Sequence, residues 1–440
     1  MTHRTGIRRL GLLLALTLLL GILPAPSYSG TVSMLERGPD INSKMKALAS
    51  GTKPEGWVET GDIKAIRMAE SLPGGFVPSA ANTVSAEDSE LPTYIFFDNE
   101  EEAGILYFYT EADTVVMHPD SYMMFSGNLE LADISGVTRW DSSRVTSMYG
   151  MFANDKSLPD ALALRYWDTS AVTDMSFMFS GASALAYIDV SRWNTGKVTT
   201  MSGMFQVGAS YKGDGQLREI LGICDLDVSN VRDMTCMFYG AGQMSQYDIA
   251  DWDVSKVESM NHMFCDNFSL RSLDLSRWDV SSVKTMYCMF DDCHTLKMIG
   301  DVSRWNTASL IDAGGWLNYA SSFIGDETGT LDLSGWNTGS LKAAGEMFLY
   351  TKIHTIDLSG WTFDSVTNDR WEGAGKGIFY EIGNGPKDLQ GFGSMFKGTT
   401  RLTAVYVSQE GLESFNAAVE REVNTLDMWT DSKTEGFTVK

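Results

Sequence analysis

The sequence predicts an α/β solenoid of coils about 26 residues long, each with one short helix and one parallel strand, behind a β-rich N-terminal cap. Three observations predict it. A segment of the pattern Val-Thr-Asp-Met-Ser-Phe-Met-Phe recurs, opening at Val145, Val172, Val198, Val231, Val257, Val283, Leu310, Leu341 and Val366, at spacings of 27, 26, 33, 26, 26, 27, 31 and 25. A period in this range marks a repeat architecture whose units shield their apolar sides only against their neighbours. Within one unit, Val172, Met175, Met178 and Phe179 fall at the spacing of one helix face. Ile188 and Val190 then alternate with Asp189 and Ser191, the period of a strand.

The chain has 34 basic and 57 acidic residues, for a net charge of -23. That balance argues against nucleic acid and anionic lipid as partners. Arg4, Arg8 and Arg9 precede an apolar run from Leu10 to Leu23, followed by the small residues Ala25 and Ser27. This is the layout of a secretory signal peptide over 1–27, with an apolar run too short to span a bilayer. No cysteine follows the run, and Gly436 to Lys440 offers neither an apolar tail nor a sorting signal. The chain therefore reads as secreted or extracellular, unanchored, and without a transmembrane segment after cleavage.

The elements follow in order. Repeats are absent from 28–91, where helical spacing is read over 41–48 and 62–71, the second patch capped by Asp62 and stopped at Pro73 to Gly75. The small, acidic stretch 78–90 reads as a linker. Aromatic and β-branched runs at 92–97, 104–109 and 114–117 predict three strands, the first two a hairpin, within a cap over 92–125 that lids the first coil. Repeats are assigned to 126–366, and 367–440 to an irregular last coil and a C-terminal cap with a strand at 402–407 and a helix at 412–423. Extra residues at 206–215, 314–330 and 368–391 are expected as loops on one side.

Inside the coils, pairs such as Met178-Phe179 and Met263-Phe264 are assigned to the core, and the column from Trp140 to Trp361 to corner packing. The residue after each Trp (Asp168, Asn194, Asp253, Asp279, Asn306, Asn337) suits a turn in which its side chain bonds an amide two residues on.

The units Val172 to Phe179 and Ile188 to Thr195, led in by Ser89 to Ala112, resemble the BspA-like leucine-rich-repeat surface proteins of bacteria. The resemblance implies a leucine-rich-repeat-like solenoid, surface display and adhesion to host matrix or to other bacteria.

Six coils place an Asp four residues before the Trp position: Asp189, Asp248, Asp274, Asp301, Asp332 and Asp357. Strand alternation turns them away from the core, so they are expected to line up as an acidic stripe that binds a cationic protein surface. Neighbouring Ser and Arg side chains as compensation, and bridging calcium, are the competing readings. Cys224, Cys236, Cys265, Cys288 and Cys293 are odd in number, with Cys265–Cys293 as one conceivable bridge. Cys236, His262 and Cys288 share a slot held by Gly150 and Gly203 elsewhere, which reads as a slot for small residues rather than a metal file. No nucleophile sits beside a base in a recognisable motif, and no cofactor loop is present, so no enzyme, cofactor or metal is expected. The functional expectation is a non-enzymatic recognition or adhesion module with a protein partner, in the host matrix or on another cell surface. The alternative is a structural surface-layer or spacer protein without a selective ligand.

Overall fold

A computed structural model describes residues 30–50, 59–97, 103–208, 214–368, 391–421, 423–434 and 436–440. The signal peptide read over 1–27 and most of the 368–391 insertion lie outside the described residues. Over the described residues the chain is mixed α/β, with few helices, several parallel sheets and no closed barrel. The first part contains β1 (Val32–Met34), α1 (Gly38–Ser50), β2 (Ala65–Met68), β3 (Thr93–Phe97), β4 (Ile105–Thr110) and β5 (Thr114–Val116). Beyond it come β6 (Asp160–Ala161), β7 (Tyr187–Asp189), β8 (Glu219–Leu221), β9 (Thr330–Asp332), β10 (Thr355–Asp357), β11 (Ala404–Val407), α2 (Gln409–Glu420) and β12 (Thr438–Val439).

β3 and β4 form the expected antiparallel hairpin, with β2 added in parallel to β4, and β5 pairs in parallel with β1. β6–β7–β8 and β9–β10–β11–β12 are parallel sheets whose strands come from successive repeats.

The repeats bond to one another through their backbones. The amides of Met175, Phe177, Phe179 and Gly181 donate to the carbonyls of Thr200, Ser202, Met204 and Gln206 at 2.7–3.2 Å. The same alternation links the repeats before and after, with parallel bridges running from Asp120–Ser147 through to Asp312–Ala343.

The helix expected in each coil does not form. Phe177, Cys236, His262 and Cys288 sit at φ 57, 56, 52 and 52°, a left-handed conformation that interrupts any right-handed helix. A second left-handed residue follows four positions later, as at Gly181, Asp266 and Asp292. Tight turns between these residues, such as Met178 N to Met175 O, place Met175, Met178 and Phe179 inward. The apolar spacing of a helix is thus reproduced by a chain of turns whose free amides point to the next repeat. This also corrects the reading of the Cys236/His262/Cys288 slot, which selects a backbone conformation rather than a small side chain.

Stacked rings fill the centre. Phe125, Phe152, Phe179, Phe205, Phe238, Phe264 and Phe290 follow one another with centroids 5.3–6.2 Å apart, and all are buried. Each such ring contributes ~1.5–3 kcal/mol by burial. The Trp column solves a polar problem as well, because each buried indole N–H needs an acceptor. Trp167, Trp193, Trp252, Trp278, Trp305, Trp336 and Trp361 donate to carbonyls of the preceding repeat, such as Val137 O and Leu164 O, at 2.9–3.2 Å.

At the N-terminal end three expectations change. Residues 62–71 hold the strand β2 rather than a helix, and Asp62 accepts from Thr60 Oγ1 at 2.8 Å instead of capping. The stretch read as a linker is docked, with Val84 N bonded to Thr93 O and Ala86 N to Met34 O. The first repeat is lidded by α1 as well as by strands. Asn42 Nδ2 reaches Met124 O and Ser126 O, and Lys46 Nζ donates to Ser126 O at 2.7 Å. At the other end β11 and α2 lie close to the expected strand and helix. The repeat backbone continues past Val366 through Gly391–Thr399 to a final unit at 424–432.

Candidate partner-binding face

The six aspartates fall at the ends of short extended stretches, where the chain turns. The Oδ1 atoms of Asp189, Asp274, Asp301, Asp332 and Asp357 accept from the amide two residues on at 2.9–3.1 Å. Each of these five carboxylates therefore shapes a turn. Asp248 is exposed and makes no such bond among the described residues.

They do not form one stripe. Asp332 and Asp357 are register partners, but Asp189 faces Leu221 across the β7–β8 pair. Asp274 lies against Gly300, at φ 85°, where an added Cβ would come within 2.6 Å of Asp274 Oδ1. Asp189 and Asp357 are buried and individually paired, with Arg165 Nη1 at 3.1 Å and Lys440 Nζ at 2.5 Å. Burial of Asp189 opposes its ionisation, but the Ser191 hydroxyl and amide and the Arg165 guanidinium outweigh it and hold the pKa below the usual carboxylate range. Asp274 and Asp301 are exposed, and the hydroxyl and amide of Ser276 and of Ser303 lower their pKa values. Of the six, Asp248, Asp274, Asp301 and Asp332 remain open to a partner.

The outer face of β6–β7–β8 carries what the aspartates lack. Tyr187 and Leu221 are exposed on its strands, and in the short 3-10 turn Leu162–Tyr166 that follows β6, Leu162 is exposed and Tyr166 is 64% exposed. Arg165 and Arg192 lie over the Tyr166 ring at 5.1 and 5.4 Å. Guanidinium groups at such distances from an exposed aromatic ring are each worth ~0.5–1 kcal/mol. Tyr187 sits between Asp160 and Glu219 in register. The result is an amphipathic surface with an arginine-framed aromatic centre and an acidic flank.

One family model matches this chain, described as "Mycoplasma protein of unknown function, DUF285", over residues 120–220, 216–330 and 300–372. Together the matched stretches cover more than half of the sequence. The chain belongs to this family. In this DUF285 chain the matched region spans the Phe ladder, the Trp column and the Arg–Tyr surface. No curated protein matches the chain.

Other expected positions behave variously. Asp168, Asn194, Asp253, Asp279, Asn306 and Asn337 each accept from the amide two residues on, at 2.9–3.3 Å, though no helix follows. All five cysteines are free, so Cys265 and Cys293 are not bridged, and burial pushes both thiols well above their usual pKa. Cys236 is driven up to about 12 by burial, with Asp233 adding to it. Among the described residues no group of three or more His, Cys, Asp or Glu could hold a metal ion, and no helix is long and apolar enough to cross a membrane. The 314–330 insertion folds back on itself, with Asp326 Oδ1 accepting from the amides of Thr328 and Thr330, both at 2.8 Å.

The Arg–Tyr surface was missed at the sequence level. Its one signal is Tyr166 directly before Trp167, where Arg192, Arg277 and Arg304 precede their own Trp residues.

Proposed function

We propose that this chain is an exported, non-enzymatic recognition module, a leucine-rich-repeat-type solenoid similar to the BspA-like surface proteins, which binds a protein partner through one face of its repeats. The observation that carries this reading is the exposed Tyr166 framed by Arg165 and Arg192 beside Leu162, Tyr187 and Leu221. Tyr and Arg dominate the energetic centres of protein interfaces, because each combines large apolar contact with a polar tip or fork. Free surfaces of this composition fit a folded protein better than a small ligand.

The partner meets both the apolar centre and the acidic flank, and the exposed Asp274 and Asp301 steer a cationic surface onto them. Binding of the full chain to a panel of immobilised extracellular-matrix and cell-surface proteins tests this. A saturable partner is expected, with Tyr166→Ala costing at least ~2 kcal/mol of affinity. Charge reversal at Asp274 and Asp301 is expected chiefly to slow association. Capture that is nonsaturable, or indifferent to Tyr166→Ala, would leave the array as a spacer.

A further inference from the structure

We propose that the C-terminal edge of the repeats binds an incoming polypeptide segment, basic and apolar in character, which adds to the 424–432 unit as one more parallel coil. This is a second surface, independent of the face around Tyr166. The inference rests on where the backbone donors of each repeat go. The amides of Phe392, Ser394, Phe396 and Gly398 donate to the carbonyls of Asn424, Leu426, Met428 and Thr430 at 2.8–2.9 Å. The equivalent donors of the next unit are the amides of Thr425, Asp427, Trp429 and Asp431. Among the described residues nothing accepts from any of the four.

Asp427 and Asp431 are left-handed, at φ 54 and 59°, like the paired turn residues of the earlier repeats. The backbone that aims each earlier amide at its neighbour is therefore complete at this last unit. No further repeat covers it among the described residues. Ser432 N closes a turn onto Trp429 O, and Thr438–Val439 pairs with β11.

A row of donors needs a row of acceptors at alternate residues, which is what a parallel coil supplies. A second copy cannot supply it. The same edge would set amides against amides, and the opposite edge has its carbonyls engaged, Asp120 O by Gly38 N and Ser126 O by Asn42 and Lys46. The side chains specify the rest. Leu426 is 56% exposed, and Trp429 stacks on Phe396 at 4.6 Å, meets Phe437 edge-on at 5.4 Å and stays half-buried. Asp427 is paired with Lys397 at 3.3 Å, while Asp431 is exposed and the chain carries -23 overall, so the occupant brings positive charge.

The probe is a synthetic peptide copying 424–432 with D427K and D431K, titrated into the full chain. Binding should be saturable and should protect the amides of 425–431 from hydrogen exchange. Leu426→Asp should weaken it at least about tenfold, and Tyr166→Ala should leave it unchanged. The same peptide with its native aspartates should bind several-fold more weakly. The proposal is overturned by nonsaturable binding, by protection that appears elsewhere, or by protection of 425–431 that grows with the concentration of the chain alone.

Discussion

The two ends of the repeats differ in the polarity of their exposed backbone. The N-terminal edge presents carbonyls, and α1 covers them with side-chain donors: Asn42 Nδ2 on Met124 O and Ser126 O, and Lys46 Nζ on Ser126 O. The C-terminal edge presents the amides of Thr425, Asp427, Trp429 and Asp431, and α2 bears instead on the flank, where Ser414 Oγ accepts from Phe363 N at 3.0 Å. The amides of each repeat donate to carbonyls of the next, so the two ends of the series require opposite cap chemistry. Lys and Asn side chains carry several donors each and can satisfy a carbonyl row from a single helix. An amide row calls for acceptors at every second residue, which another backbone provides most directly. One end is thus closed by α1, and the other presents a row of donors without acceptors among the described residues.

The largest effect should come from the middle, where a coil has neighbours on both sides. Met263→Ala removes a fully buried side chain and should cost ~2–5 kcal/mol. The repeats on either side bond to this one, Phe238 N to Met263 O and Phe264 N to Met289 O, so that loss should weaken them as well. Met428→Ala, in a unit that among the described residues has a neighbouring repeat on one side only, should cost less than half as much, read as denaturation midpoints. Equal costs would mean that the last coil is not an edge.

Next in size is the lid. Lys46→Met keeps most of the buried stem but strips a donor from Ser126 O. A loss of ~1–3 kcal/mol is expected, with faster hydrogen exchange confined to 38–50 and 121–128. A variant that melts like the parent would show that α1 is not the element that closes this end.

How much of this was legible in the sequence depends on which physical signal each feature leaves. The period, the Met-Phe core and the Asx turns after Trp leave side-chain signals at fixed spacing, and they appear where expected. The coil geometry leaves a weaker one. Left-handed positions are conspicuous when occupied by Gly150 or Gly203, but Phe177, His262 and Glu346 conceal the same conformation. Alternating turns and a helix both bury residues at spacings of three and four, so Val172, Met175 and Phe179 could not tell them apart. The last unit hid because Trp429 replaces the usual Phe after Met428.

The candidate face was legible only in part. Aspartate before serine announces a turn, yet the burial of Asp189 and Asp357 depends on Arg165 and on Lys440, the latter 83 residues from Asp357. No local pattern encodes such a pairing. The arginines that frame Tyr166 are likewise brought together by the stacking of two repeats, which spacing alone suggests only once the register is known.

The smallest effect is a titration that only the N-terminal end should show. Burial lowers Lys46 from its ordinary 10.5 to about 8, with Asp155 pulling the other way. In the unfolded chain the amine keeps its proton to higher pH, so between about 8 and 10.5 the unfolded state binds more protons than the folded one. Local stability from this group is therefore complete above 10.5 and is lost as pH falls through about 8. Hydrogen exchange across 38–50, corrected for its intrinsic base catalysis, should show protection that rises from pH 7 to 10.5 in the parent and stays level in Lys46→Met. The amides of Thr425, Asp427, Trp429 and Asp431 should stay unprotected throughout, because among the described residues nothing accepts from them. An identical slope in the parent and in Lys46→Met would assign the pH dependence to another group and leave α1 a lid without an ionisable hinge.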